Sequence, residues 1–116
     1  MSIRPCLGVA AVLIVGLTMS PVAVSLSDPG SSCGVVTYPQ TGAGGTVEII
    51  AGNLSCAAAM GIIDRYLNDP DLPHQGNTWS AEFDGWLCAS PTSAAAAGYG
   101  YTTSCTRGAD EVQVRA

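Results

Sequence analysis

Four cysteines constrain this chain more than any other feature of its sequence. They are Cys33, Cys56, Cys88 and Cys105, and they follow an apolar amino-terminal segment. An even number of cysteines in a small exported chain is typical of a disulfide framework. The spacing contains no C-x-x-C pair and the sequence has one histidine, His74, so a zinc site is poorly supported. We therefore expect two structural disulfides, with no metal and no other cofactor.

The amino-terminal segment predicts export. A basic residue precedes an almost unbroken apolar run at residues 7–19, which is too short to span a membrane comfortably. Ala23 and Ser25 satisfy the small-x-small rule for cleavage. We expect a cleaved signal peptide at residues 1–25, which removes Cys6, and a secreted, extracellular product that is not held in the membrane.

The remaining chain is predicted to be one acidic domain. Residues 26–32, rich in Ser with an Asp-Pro-Gly turn, indicate a flexible linker, and residues 33–116 a single disulfide-stabilised domain. The chain after the signal peptide contains nine carboxylates and three arginines, and the sequence has no lysine. This charge repels phosphate groups, so we expect no nucleic-acid partner and no binding to anionic lipid.

The apolar content of this domain is low, with fifteen Leu, Ile, Val or Phe residues after residue 25. A small core leaves little margin against a conformational entropy cost on the order of 100 kcal/mol, so disulfides are expected to help. Sequence alone leaves three connectivities open. We favour a bond from Cys56 to Cys88 or Cys105, which would fix a helix to the strands beneath it. The alternative joins Cys33 to Cys56 and Cys88 to Cys105.

Residues 56–68 have a clear helical pattern. Ser55 is the expected N-cap, with Asn53 as the alternative, and Pro70 ends the helix because it cannot continue the hydrogen-bond ladder. Apolar side chains recur at steps of three and four along the segment and predict one buried stripe. The members of this stripe are Cys56, Ala59, Met60, Ile63, Tyr66 and Leu67.

Strands are predicted on both sides of this helix. A short strand can form at residues 34–38, and residues 90–98 favour a surface loop over the alternative of a helical turn. The last two strands are expected to pair as a hairpin with Val112 and Val114 inward. Asp84-Gly85 is expected to interrupt its strand with a bulge or a tight turn. The main predicted strands are residues 46–51, 79–89, 99–105 and 111–115. The predicted fold class is α+β, one helix packed on a small antiparallel sheet in the order β-α-β-β-β.

Aromatic residues and carboxylates are the candidates for function. Trp79, Phe83, Trp86, Tyr99 and Tyr101 are expected mainly in the core, and all of them except Phe83 form a possible binding surface for a sugar or a protein groove. Glu82 and Asp84 lie two residues apart, but nothing in the sequence indicates burial, and His74 has no G-x-S-x-G partner motif. We expect a non-enzymatic domain.

Several short motifs carry a resemblance. They are Cys33-Gly34, Ser55-Cys56-Ala57-Ala58-Ala59, Gly85-Trp86-Leu87-Cys88 and Cys105-Thr106-Arg107-Gly108. Over residues 33–116 this combination resembles small secreted actinobacterial proteins, which implies export and no established activity. The chain also resembles secreted inhibitors of the subtilisin-inhibitor type in size and disulfide number, but lacks a clear reactive-site loop anchored between a cysteine and a proline. We expect a binding role towards an unknown extracellular protein or carbohydrate. A protease inhibitor and a small extracellular enzyme are the alternatives.

We predict that the mature protein contains no free thiol. Titration with a thiol reagent after denaturation without reductant is expected to detect none, because all four cysteines are paired. A competing role for Cys56 as a reactive thiol at the helix N-terminus requires at least one free thiol. The same protein titrated after reduction provides the positive control.

Overall fold

The computed structural model describes residue 26 and residues 28–116, and the predicted signal peptide lies outside the described residues. One antiparallel sheet has the strand order β1-β2-β6-β5-β4-β3, with α1 packed on one face. This arrangement confirms the predicted α+β class. The elements are β1 (Ser32–Thr37), β2 (Gly44–Ala51), α1 (Cys56–Asn68), β3 (Ala81–Phe83), β4 (Trp86–Ala89), α2 (Ser93–Tyr99), β5 (Thr103–Arg107) and β6 (Asp110–Arg115).

The bounds of α1 follow from its local sequence and confirm the predicted helix. The Ser55 hydroxyl accepts a hydrogen bond from the backbone N–H of Ala58 at 3.1 Å, which satisfies one of the free donors of the first turn. Asp69, just before Pro70, already has an extended backbone. The stripe facing the sheet is buried as expected at Ala59, Ile63, Tyr66 and Leu67.

The inner face of the sheet carries one apolar row that crosses four strands. Ile49 pairs with Val112, which pairs with Cys105, which in turn lies opposite Cys88. All four side chains are fully buried in the same cluster as the α1 stripe. Val112 and Val114 point inward on β6, and β5 and β6 pair as a hairpin, so both predictions for these strands are confirmed.

The favoured disulfide connectivity is wrong. The bonds are Cys33–Cys56 and Cys88–Cys105, with Cα–Cα distances of 5.1 and 4.0 Å. Cys88 and Cys105 lie directly opposite each other on β4 and β5, so they pair with each other and not with the helix. Cys56 lies in the first turn of α1, beside the edge strand β1. The sheet register therefore decides the connectivity.

Residues 90–98 are not the surface loop that was predicted, because they contain most of a second helix. Thr92 accepts the backbone N–H of Ala95, the alanine run has high helix propensity, and Gly100 ends α2 with a left-handed backbone. As a consequence Tyr99 ends α2, and the predicted strand at 99–105 begins only at Thr103.

The predicted strand at residues 79–89 is two strands joined by a tight turn. Asp84 and Gly85 both have positive φ, at 50° and 81°, as a two-residue hairpin loop requires. Phe83 and Trp86 pair across the hairpin next to this turn. The sheet consequently has six strands. Residues 30 and 31 also bond Ile49 before β1 begins, so contact with β2 extends into the expected linker.

We predict that replacing both Cys33 and Cys56 by alanine lowers the free energy of unfolding by about 3 kcal/mol, the loop-entropy value for a separation of 23 residues. Urea denaturation of both proteins measures the change. Peptide mapping without reductant is the control, and a peptide joining Cys56 to Cys88 or Cys105 would contradict the structure.

Candidate functional site

The two edges of the sheet differ in how they are protected. The edge strand β1 has six residues, none of them charged, and Val35 is 72% exposed at its centre. The other edge, β3, has three residues, carries the exposed Glu82, and adjoins a loop closed by the bridge between Gln75 and Ser80. Charge and shortness are the usual defences of an edge strand against pairing with another chain. Only β3 has them.

The backbone groups of Val35 and Thr37 point away from the sheet. The N–H of Tyr38 donates to the carbonyl of Ala43 at 2.8 Å, so residue 38 faces β2. In an antiparallel pair the residues that bond the neighbouring strand alternate with residues that do not. Continuing that alternation along the regular register places Gly34 and Val36 towards β2. Val35 and Thr37 therefore offer two N–H and two C=O groups to an incoming strand.

A groove runs beside this edge, between β1 and α1. Its volume is about 450 Å³ and it opens to solvent. One wall is the edge strand and the other is the side of α1 that continues from its buried stripe. The lining residues are Val35, Val36, Thr37, Met60, Gly61, Asp64 and Asn68. We call this the β1–α1 groove.

The two walls of the β1–α1 groove are fastened together at one end. Cys33 is the extra residue of a bulge between Ser32 and Gly34, which turns it out of the regular ladder. Its disulfide with Cys56 joins β1 to the first turn of α1. Gly34 allows β1 and α1 to approach each other closely, since a Cβ atom at residue 34 would lie 3.2 Å from the Met60 methyl group. The disulfide therefore holds the two walls together at this end of the groove.

Polar groups lie in the α1 wall of the groove. The Asn68 amide donates to the Asp64 carboxylate at 2.9 Å, and both side chains are exposed. Asp64 follows Met60 by one turn, and Asn68 follows Asp64 by another, so these residues line up along one side of α1. The groove thus presents an apolar group, then a carboxylate and an amide.

A half-buried chain of hydroxyl groups lies at the end of the core near Tyr38. Tyr66 must donate to the carbonyl of Trp79 at 2.7 Å, because a carbonyl only accepts. Each hydroxyl has one hydrogen, so Ser90 must donate to Tyr66 and Thr103 to Ser90. Tyr38 can donate to Thr103 or to the Thr102 hydroxyl at 2.7 Å. In that order the chain is Tyr38, Thr103, Ser90 and Tyr66, with oxygen separations of 2.6, 2.9 and 2.9 Å.

The surroundings of Tyr66 shift the pKa of its hydroxyl, and its backbone carbonyl helps to hold His74 in place. Burial raises the pKa of Tyr66 to about 12, and the hydrogen bond from Ser90 acts in the opposite direction. His74 donates from Nε2 to the Tyr66 carbonyl at 2.8 Å, and its ring stacks on Trp79 with centroids 3.6 Å apart. These contacts are structural, because they hold the loop before β3 against α1.

The predicted aromatic binding residues differ in exposure. Trp86 is only 3% exposed and lies under Arg107, whose guanidinium is 4.6 Å from the ring centroid. Trp79 is half-buried against His74. Tyr99 is 60% exposed and stacks on Tyr101 with centroids 5.4 Å apart. The accessible part of this set is therefore mainly the Tyr99–Tyr101 pair.

The candidate acidic residues do not form a pair. Asp84 lies in the turn between β3 and β4 and binds Arg65 at 2.6 Å, while Glu82 is exposed on β3. Within the described part of the chain no group of three His, Cys, Asp or Glu side chains could hold a metal ion.

Comparisons with known proteins found no matching family model, curated protein or solved structure. In the region that the structure covers, neither helix has the length and apolar character needed to cross a membrane. Any functional conclusion therefore depends on the geometry of the chain itself. Sequence patterns missed the β1–α1 groove, although the uncharged stretch Cys33-Gly34-Val35-Val36-Thr37 is the one indication of an unprotected strand.

We predict that the free energy of unfolding falls as pH rises from about 10 to 12. The unfolded chain releases the Tyr66 proton near the ordinary pKa of 10, while the folded chain retains it to about 12. In that window the folded state binds more protons, so raising the pH favours unfolding. Chemical denaturation at several pH values measures this slope.

The matched variants are Tyr66→Phe and Tyr99→Phe. Removing the hydroxyl of the buried Tyr66 is expected to reduce the slope of the unfolding free energy against pH. Removing the hydroxyl of the exposed Tyr99 leaves the Tyr66 contribution in place. An unchanged slope in Tyr66→Phe would contradict the assignment.

Proposed function

We propose that the protein is exported, loses residues 1–25, and acts as a non-enzymatic extracellular domain that binds an extended polypeptide segment as an additional strand on β1. The observation that carries this proposal is the uncharged edge strand beside the β1–α1 groove. Two disulfides in a small domain are consistent with an oxidising extracellular environment.

The backbone of β1 favours a polypeptide ligand over a carbohydrate. The outward N–H and C=O groups of Val35 and Thr37 alternate at the spacing of a β-ladder, which another extended backbone matches. A sugar has no such repeat. The exposed Tyr99–Tyr101 pair is the feature that would support a carbohydrate ligand. Its two rings stack on each other, so each ring has one face partly covered and less surface for a sugar to stack on.

The magnitude of the backbone interaction shows why the groove matters. Four backbone hydrogen bonds contribute roughly 2–6 kcal/mol in total, at about 0.5–1.5 kcal/mol each. Association costs about 4–15 kcal/mol in lost translational and rotational freedom. Pairing with β1 alone therefore gives weak binding. A ligand that also places side chains in the β1–α1 groove gains the additional contacts that binding requires.

We predict that Val35→Pro abolishes peptide binding without unfolding the protein. Proline removes the outward N–H of residue 35 and blocks an incoming strand, but the bonds from β1 to β2 remain. The probe is a pool of random peptides displayed on phage and selected on the wild-type protein. Selected peptides are then synthesised, and NMR titration measures their dissociation constants with both proteins.

Two control variants separate edge pairing from side-chain and folding effects. Val35→Thr keeps the backbone N–H and is expected to bind within about twofold of wild type, since its effect is confined to one exposed side chain. Gly61→Leu is expected to fill the groove while stabilising α1, because a Cβ atom at Gly61 meets nothing within 4 Å and leucine has a higher helix propensity than glycine. Loss of binding together with a higher melting temperature in Gly61→Leu would support the groove.

Three results would overturn the proposal. The first is that no peptide is selected by the wild-type protein. The second is that the selected peptides bind Val35→Pro with unchanged affinity. The third is that sedimentation shows a dimer of the wild-type protein and a monomer of Val35→Pro, because a second copy would then occupy the edge.

A further inference from the structure

We propose that the segment bound on β1 is cationic, and that Asp64 and Asn68 bind the ammonium or guanidinium group of its lysine or arginine. This inference rests on the proposed strand addition and specifies the chemistry of the ligand. The supporting observation is the Asp64 carboxylate, which lies in the wall of the β1–α1 groove. The arginines of the described residues form ion pairs with other carboxylates.

The arginines of the described residues all pair with other carboxylates. None of these ion pairs includes Asp64, and the sequence has no lysine. Asp64 is therefore one of the carboxylates that no arginine of the described residues neutralises, and it is the one that lines the β1–α1 groove. The pairs are Arg65 with Asp69 and Asp84, Arg107 with Asp110, and Arg115 with Glu48.

The side chains of Asp64 and Asn68 form a preorganised acceptor pair. The Asn68 amide N–H₂ donates to Oδ1 of Asp64, which fixes the carboxylate and leaves Oδ2 of Asp64 and the amide oxygen of Asn68 as acceptors. Asn68 is the last residue of α1. The partial negative charge at the C-terminal end of a helix also favours a cation there.

The spacing of the α1 wall matches that of a bound strand. Four residues of helix, from Met60 to Asp64, advance about 6 Å. Two residues of strand advance about 6.6 Å, and residues two apart point to the same side. The same groove is lined by successive residues of β1 and by Met60, Asp64 and Asn68 of α1, so a segment paired with β1 can place an apolar side chain on Met60 and a basic side chain on Asp64. The expected recognition pattern is an apolar residue and a basic residue separated by one position, in either chain direction.

Charge also distinguishes this partner from a second copy of the chain. The strand β1 contains no basic residue to place on Asp64. Two copies would in addition bring together two acidic proteins, because the formal net charge of the chain is −5. A basic extended segment supplies a cation for Asp64, and the β1 strand of a second copy does not.

The test uses three peptides that differ at one position. Each is blocked at both ends and has the sequence Ser-Thr-Val-Thr-Leu-Thr-X-Thr-Ser, where X is Lys, Gln or Glu. In an extended conformation Leu and X lie on the same side. NMR titration gives the dissociation constant of each peptide for the wild-type protein, Asp64→Asn, Asp71→Asn and Val35→Pro. Asp71→Asn removes the same charge from an exposed position outside the groove.

We predict that wild type binds the Lys peptide about three- to fivefold more tightly than the Gln peptide, the upper part of the range for a solvent-exposed ion pair, and the Glu peptide least tightly. Asp64→Asn is expected to lose this preference, and Asp71→Asn to keep it. Added salt should reduce the preference by screening.

The outcomes separate the two proposals. Equal binding of all three peptides to wild type, with loss of binding in Val35→Pro, overturns the cationic ligand and leaves strand addition standing. A preference for Lys that persists in Asp64→Asn also overturns the assignment. Failure of the Lys, Gln and Glu peptides to bind wild type at all counts against strand addition itself.

Discussion

The fold depends on the burial of one stripe of α1 against one apolar row of the sheet. That row crosses β2, β6, β5 and β4 and brings together residues from distant parts of the chain, from Ile49 to Val112. Each large side chain buried there contributes about 1.5–3 kcal/mol. Within the sheet, α1 lies closest to β1 and β2. The groove lies where the exposed side of α1 meets the edge strand β1.

Local features of the fold could be predicted from the sequence, whereas features set by distant pairing could not. The helix α1 was predicted to the residue because its signals are local: the cap at Ser55 directly precedes it, the apolar stripe lies within it, and Pro70 follows directly after its end. The connectivity of Cys56 depends on which strand lies beside the helix start. That choice follows from the order of all six strands, which short sequence patterns do not specify.

Two other differences have equally physical causes. The helix α2 buries no residue, so it has no apolar periodicity to detect, and only the alanine propensity and the Thr92 cap indicate it. The candidate site was missed for another reason. Short runs such as Val35-Val36-Thr37 predict a strand, but whether a strand lies at the edge or in the centre of a sheet depends on its neighbours. Asp64 and Asn68 likewise gain significance only when β1 lies beside them.

The half-buried hydroxyl chain that ends at the Trp79 carbonyl has a consequence for cooperativity. The Trp79 carbonyl fixes the direction of donation from Thr103 through Ser90 to Tyr66, whereas the O–H of Tyr38 has a second acceptor in the Thr102 hydroxyl at 2.7 Å. Replacing the Ser90 hydroxyl by a methyl group would leave Thr103 without an acceptor and Tyr66 without a donor. Loosening at any one of the loop before β3, the ends of β4 and α1, or the start of β5 therefore costs hydrogen bonds in the others.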